Sequence, residues 1–94
     1  MNQEKIDKLH YLNLIIEWFY KTGDEFIVGE ETILNFNTEK IAKILNIKDS
    51  KYMWIQDYLC DGYIINSKQA ETLQIYMTHK FYLAQYVYFI SRTN

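Results

Sequence analysis

The stretch Phe36-Asn37-Thr38-Glu39-Lys40-Ile41-Ala42-Lys43-Ile44-Leu45-Asn46-Ile47 governs how the rest of the chain is read. Thr38 has the side chain of a helix N-cap, and Glu39 and Lys40 follow it. Ile41, Ile44 and Leu45 then make a short apolar stripe, so the spacing predicts a helix over 38–45. Asn46-Ile47-Lys48 breaks it, because asparagine tolerates the left-handed backbone of a tight turn between two helices. Asp49 or Ser50 caps the next helix, which runs over 49–61 with Ile55, Tyr58 and Leu59 inward and Tyr52 and Trp54 at its edges. Gly62 terminates it.

Working outward, residues 3–21 carry Ile6, Leu9, Leu12, Ile16 and Phe19 at helical spacing, with Gly23 as the stop. Residues 24–37, with the short β-prone runs Phe26-Ile27-Val28 and Ile33-Leu34-Asn35-Phe36 around the break Gly29-Glu30-Glu31, read as a loop with one short strand. Tyr63-Ile64-Ile65 and the alternating run Leu73–Thr78 read as the two strands of a hairpin over 63–78, joined by a polar loop. Residues 79–92 carry Tyr82, Leu83, Tyr86, Val87 and Ile90 at helical spacing. The expected class is α+β and mainly helical, in a single domain spanning 1–94.

Three runs resemble a bacterial or phage-type winged helix-turn-helix. Phe36–Ile47 is similar to its first half, where a capping Ser or Thr precedes Ile-Ala and then Leu-Gly/Asn-aliphatic. Tyr58-Leu59-Cys60-Asp61-Gly62-Tyr63-Ile64 resembles the end of its third helix, and Ile75-Tyr76-Met77-Thr78-His79-Lys80 the strand that ends its wing. Asn46 stands where glycine is usual, and Phe81 where the wing exit usually has glycine. The resemblance implies a three-helix core, a β-hairpin wing and a C-terminal helix. It further implies a dimeric transcriptional regulator that places its third helix in the major groove.

Charge and composition bound the alternatives. Lysine and arginine number 10 against 12 acidic residues, a formal net charge of −2, which excludes a domain that binds nucleic acid by charge alone. One cysteine, Cys60, excludes an internal disulfide framework and a multi-cysteine zinc site. The longest apolar stretches are about ten residues, and a membrane span needs about 20. With no leader-like segment and a lone thiol, a soluble cytoplasmic protein is expected. No cofactor, metal site or enzymatic activity is expected. Gly23, Gly29 and Gly62 are scattered, Cys60 has no supporting spacing to His10 or His79, and Glu30-Glu31 reads as a solvated turn.

Two functions remain. For double-stranded DNA, the candidate contacts are Lys51 and Gln56 on the third helix and Lys68 and Lys80 on the wing. Residues 48–61 set Lys48 and Lys51 against three aspartates, a net of −1. The alternative is an interaction module that does not bind DNA. Aromatic residues make up 17% of the chain, and Tyr76, Phe81, Tyr82, Tyr86, Tyr88 and Phe89 place six of them in fourteen residues, more than one helix face of a small domain easily buries. Trp54, Tyr82, Tyr86 and Phe89 are the candidate interface, in a homodimer through helices one and four or with a protein partner.

Overall fold

A side-chain period of two governs the first apolar run. The structure, a computed structural model, describes residues 11–23, 26–46 and 62–93. Strand β1 spans Tyr11–Tyr20 and buries Leu14, Ile16 and Trp18 in alternation. The expected helix over 3–21 is thus corrected over its described part. Leu12, Ile15, Ile16, Trp18 and Phe19 satisfy a helical spacing as well as an alternating one, because apolar residues fall on both faces of the run. β-branched and aromatic side chains fit a pleated surface better than a helix, and a strand with neighbours on both edges uses apolar residues on both faces.

The remaining strands are β2 (Gly29–Asn37), β3 (Tyr63–Ile64) and β4 (Tyr86–Thr93). They form a four-stranded sheet in the order β2-β1-β4-β3, antiparallel throughout. In the β1–β4 ladder Ile16 faces Ile90, Trp18 faces Tyr88 and Tyr20 faces Tyr86. The helix expected over 79–92 is therefore a loop followed by a strand, for the same physical reason as β1. Of the segment expected as a loop with one short strand, residues 29–37 form nine residues of edge strand.

Helix α1, Thr38–Ile44, lies where a helix is expected, but its cap is Asn37, whose side chain accepts from the Lys40 N–H. Asn46 follows at φ 57. The expected helix over 49–61 lies outside the described residues. No hairpin occupies 63–78: β3 is followed by helix α2, Ser67–Leu73, and a 3₁₀ turn, Gln74–Tyr76. A capping box starts α2, with Asn66 Oδ1 accepting from the Gln69 N–H and Gln69 Oε1 accepting from the Asn66 N–H. That reciprocal pair converts an apparently polar loop into a helix. A mainly helical winged helix-turn-helix is overturned by this sheet, with two short α-helices among the described residues.

One face of the sheet carries the core. Leu14, Ile16, Ile33, Phe36, Tyr88 and Ile90 pack there against Ile41, Ala42 and Leu45 of the α1 segment and Ala70 and Leu73 of α2. The opposite face carries Ile15, Phe19, Val87 and Phe89, all half-buried. Both sheet edges are poor templates for strand addition. β3 is two residues long, and β2 is bulged opposite Leu12 and Leu14. Asn35 takes φ 54 at the bulge, and Asn13 Oδ1 accepts its N–H.

Gly29 faces Trp18 across the ladder, and a Cβ there would clash with the indole at Cζ2, Cε2 and Nε1. The missing side chain lets the indole lie flat over β2. Gly29→Ala is expected to cost about 1–3 kcal/mol by overpacking. Urea denaturation in a Trp54→Phe background, which leaves Trp18 as the fluorophore, measures it. An unchanged midpoint and emission would show that the indole does not occupy this place.

Candidate functional site

Residues 77–85 join the 3₁₀ turn to β4 without regular structure, and side chains from three elements hold their backbone. Glu31 sits opposite Ile16 in the ladder and so projects to the core side of the sheet. Its Oε2 accepts from the Thr78 N–H at 2.8 Å. Its Oε1 accepts from the Thr78 hydroxyl and the His79 N–H, each at 2.9 Å. Gln74 Nε2 donates to the His79 carbonyl, and Gln74 Oε1 accepts from the Phe81 N–H, both at 2.9 Å. The Tyr88 hydroxyl accepts from the Tyr82 N–H at 2.9 Å and lies 2.7 Å from His79 Nε2.

The His79 ring stacks on Trp18, with centroids 3.8 Å apart and planes inclined by 12°. Phe81 meets Tyr88 edge-on at 4.7 Å. Tyr88 is fully buried, and with its oxygen already accepting from Tyr82, its proton is matched by His79 Nε2 when His79 carries hydrogen on Nδ1. Burial pushes the Tyr88 phenol above its ordinary value, against the lowering by the Tyr82 N–H, and the nearby Tyr86 and Tyr82 push it further up.

From this buried centre the aromatic cluster runs out to the surface at one end of the sheet. Tyr86 and Tyr20 are cross-strand partners with rings 5.4 Å apart. Tyr82 meets His79 edge-on at 6.2 Å. Tyr20 is 42% exposed and Tyr82 50%. Phe26, Ile27 and Val28, which lead into β2, are exposed at the same end, where the Val28 N–H donates to the Trp18 carbonyl. The Tyr20, Tyr82 and Tyr86 hydroxyls have no hydrogen-bond partner among the described residues. Lys21 and Lys80 are exposed, without an ion pair among the described residues.

The candidate residues from the sequence divide. Lys51, Gln56 and Trp54 lie outside the described residues. Lys68 is exposed on α2, where with Lys43, Asn46 and Thr72 it lines a cleft of about 550 Å³. Lys80 lies in the loop after His79, so these two lysines stand on separate elements and no wing joins them. Tyr82 and Tyr86 do converge. Phe89 does not: strand alternation sends it to the other face, edge-on to Phe19 at 5.5 Å. Glu31, Trp18, His79 and Tyr88 were not identified from sequence as one cluster. Glu31 reaches partners 47 and 48 residues away, and nothing local announces that. Among the described residues no group of His, Cys, Asp and Glu is placed to hold a metal.

Burial works to raise the Glu31 carboxyl, but the Thr78 and His79 N–H groups, the Thr78 hydroxyl and the nearby His79 outweigh it. The carboxyl titrates below its ordinary 4.5. A depressed folded-state value contributes stability that is present above pH 4.5 and lost as pH falls through the folded value. Glu31→Gln is therefore expected to be less stable than the wild type at neutral pH, with the gap narrowing in acid. Urea denaturation across pH 3–7 (about that window) reads it; a gap independent of pH would remove the carboxylate from this role.

No curated protein and no solved structure matches this chain. One family model does match, over residues 14–91, a span from the first buried leucine of β1 to Ser91 near the end of β4. The chain belongs to that family, which is described as a domain of unknown function (DUF7683).

Proposed function

We propose that this protein is a small binding module that docks a segment of a partner protein on the aromatic end of its sheet. The observation that carries this is the convergence there of Tyr20, Tyr82 and Tyr86, whose hydroxyls have no hydrogen-bond partner among the described residues, beside Phe26, Ile27 and Val28. Tyrosine suits such a surface because its ring supplies apolar area and its hydroxyl still donates in a wet interface. Tyr20 and Tyr86 stand on paired strands and the Tyr82 backbone is held by the Tyr88 hydroxyl, so little backbone ordering is lost on binding.

A role on DNA has less support. Such a role needs a wing, and no hairpin occupies residues 63–78; Lys68 and Lys80 lie on separate elements, and the chain is acidic overall. We assign the module to the cytoplasm, on the lone cysteine. No helix among the described residues is long and apolar enough to cross a membrane.

A photo-crosslinking residue at Tyr82 tests the proposal, with the same residue at Lys68 as the control. A partner protein is expected to be trapped from position 82, not from 68, and to be lost when Tyr20→Ser is added in a chain with unchanged melting temperature. Fluorescence anisotropy with random duplex DNA at about 50 mM salt, where phosphate contacts are strongest, is expected to show no binding. Salt-sensitive duplex binding that survives Tyr20→Ser and Tyr82→Ser would overturn the proposal.

A further inference from the structure

We infer that the cleft between the α1 segment and α2 is a site for a small molecule bearing a phosphate monoester. It shares no residue with the aromatic end and stands independently of the binding proposed there.

The capping box of α2 sets the chemistry of this cleft. Asn66 Oδ1 accepts from the Gln69 N–H, and Gln69 Oε1 accepts from the Asn66 N–H. A backbone N–H can only donate, so both side-chain oxygens are committed and both amide nitrogens are left over. Gln69 is 7% exposed, yet its Nε2 has no hydrogen-bond partner among the described residues. No wholly buried side-chain nitrogen or oxygen among the described residues lacks a partner, so this nitrogen reaches the surface, and the surface that Gln69 lines is the cleft. An amide buried to this degree, bonded at its oxygen and open at its nitrogen, is a fixed donor aimed at whatever the cleft holds.

The rest of the lining adds donors and positive charge. Lys43 comes from α1 and Lys68 from α2, and neither has an ion pair among the described residues. The Thr72 hydroxyl gives its proton to the Lys68 carbonyl. Glu39 and Glu71, the acidic residues of the two helices, do not line the cleft. Residues 47–61, which follow Asn46 in the chain, hold Lys48 and Lys51 against Asp49, Asp57 and Asp61 and lie outside the described residues. The walls are held from beneath. Ile41, Ala42 and Leu45 share the core with Ala70 and Leu73, and the Tyr63 hydroxyl donates to the Leu45 carbonyl at 3.2 Å.

A donor-rich lining with two cations selects an anion of high charge. A phosphate monoester offers only acceptors at its terminal oxygens and carries about −1.5 to −2 near neutral pH, which two lysines balance. Its three oxygens sit on one centre, within reach of a fixed amide and two flexible ammonium groups. The cleft volume of about 550 Å³ exceeds what a bare phosphate fills and leaves room for an organic part against Ile44 and the lysine stems.

The test is an NMR titration of the whole chain with glucose 6-phosphate, with glucose and the dicarboxylate succinate as controls. Glucose 6-phosphate is expected to shift the Gln69 side-chain amide and the Lys43 and Lys68 backbone amides, saturably below about 10 mM. Inorganic phosphate is expected to compete, and the controls are expected to bind at least tenfold more weakly (about that margin). Affinity is expected to fall as pH is lowered through about 6, where the phosphate takes up its second proton. Lys43→Gln and Lys68→Gln, both at exposed positions, are each expected to weaken binding about tenfold and to lessen its salt dependence, while Lys80→Gln leaves it unchanged. Gln69→Glu keeps an oxygen to cap α2 and exchanges only the amide nitrogen, and is expected to abolish binding in a chain that melts as the wild type does. If that variant melts early, the two lysine variants decide alone. Shifts that stay linear, succinate or glucose binding as tightly as glucose 6-phosphate, or binding that survives Lys43→Gln with Lys68→Gln or a stably folded Gln69→Glu, would overturn the site.

Discussion

A nine-residue connection lies against the open end of the sheet, and its polar backbone groups must find partners there. The Glu31 carboxylate is the anchor that makes this possible. A single side chain on an edge strand takes two N–H groups and a hydroxyl from residues far along the chain. With Thr78 and His79 fixed, the His79 ring is laid over Trp18, its Nε2 is brought to Tyr88, and Tyr88 in turn holds Tyr82. Gln74 closes the same connection from the 3₁₀ turn. The aromatic surface is therefore built on polar bonds beneath it, with each ring placed by a backbone group already spoken for.

Gly29 completes that arrangement from the other side. The indole occupies the space where a side chain of β2 would stand, so Trp18 is sandwiched between bare backbone and the imidazole. The consequence is a rigid inner layer of Trp18, His79 and Tyr88 and an outer layer of tyrosines exposed to water. Rigid rings lose little freedom when they are covered, which is why a surface of this kind suits recognition.

How far the sequence revealed this depends on whether the signal is local. Helix α1 was legible because its stripe, its cap region and Asn46 all lie within ten residues. β1 and β4 were not, because the apolar residues of Leu12–Phe19 and Tyr86–Ile90 fit a helical spacing as well as an alternating one. The abundance of Ile, Val and aromatic residues there was the signal that favoured strands. Helix α2 was legible in principle, since Asn66 and Gln69 stand at capping-box spacing. Of the candidate site, Tyr82 and Tyr86 were named from sequence, for helical spacing that the strand replaces. Glu31 looks like part of a solvated turn in the sequence, because its role exists only once β2 and the loop before β4 have come together.

The strand order also has a consequence for how the chain acquires its structure. β4 lies between β1 and β3, so the central ladder joins Asn13–Tyr20 to Tyr86–Thr93 across some of the longest sequence separations available. Loop-closure entropy must be spent before that ladder returns anything, which makes folding slow relative to helical domains of this length. During synthesis, β1 and β2 emerge as a hairpin whose apolar inner edge stays open until residues 86–93 have left the ribosome. The exposed edge of β1 at that stage, with Leu14, Ile16 and Trp18 uncovered, is the point at which this protein is most vulnerable to aggregation.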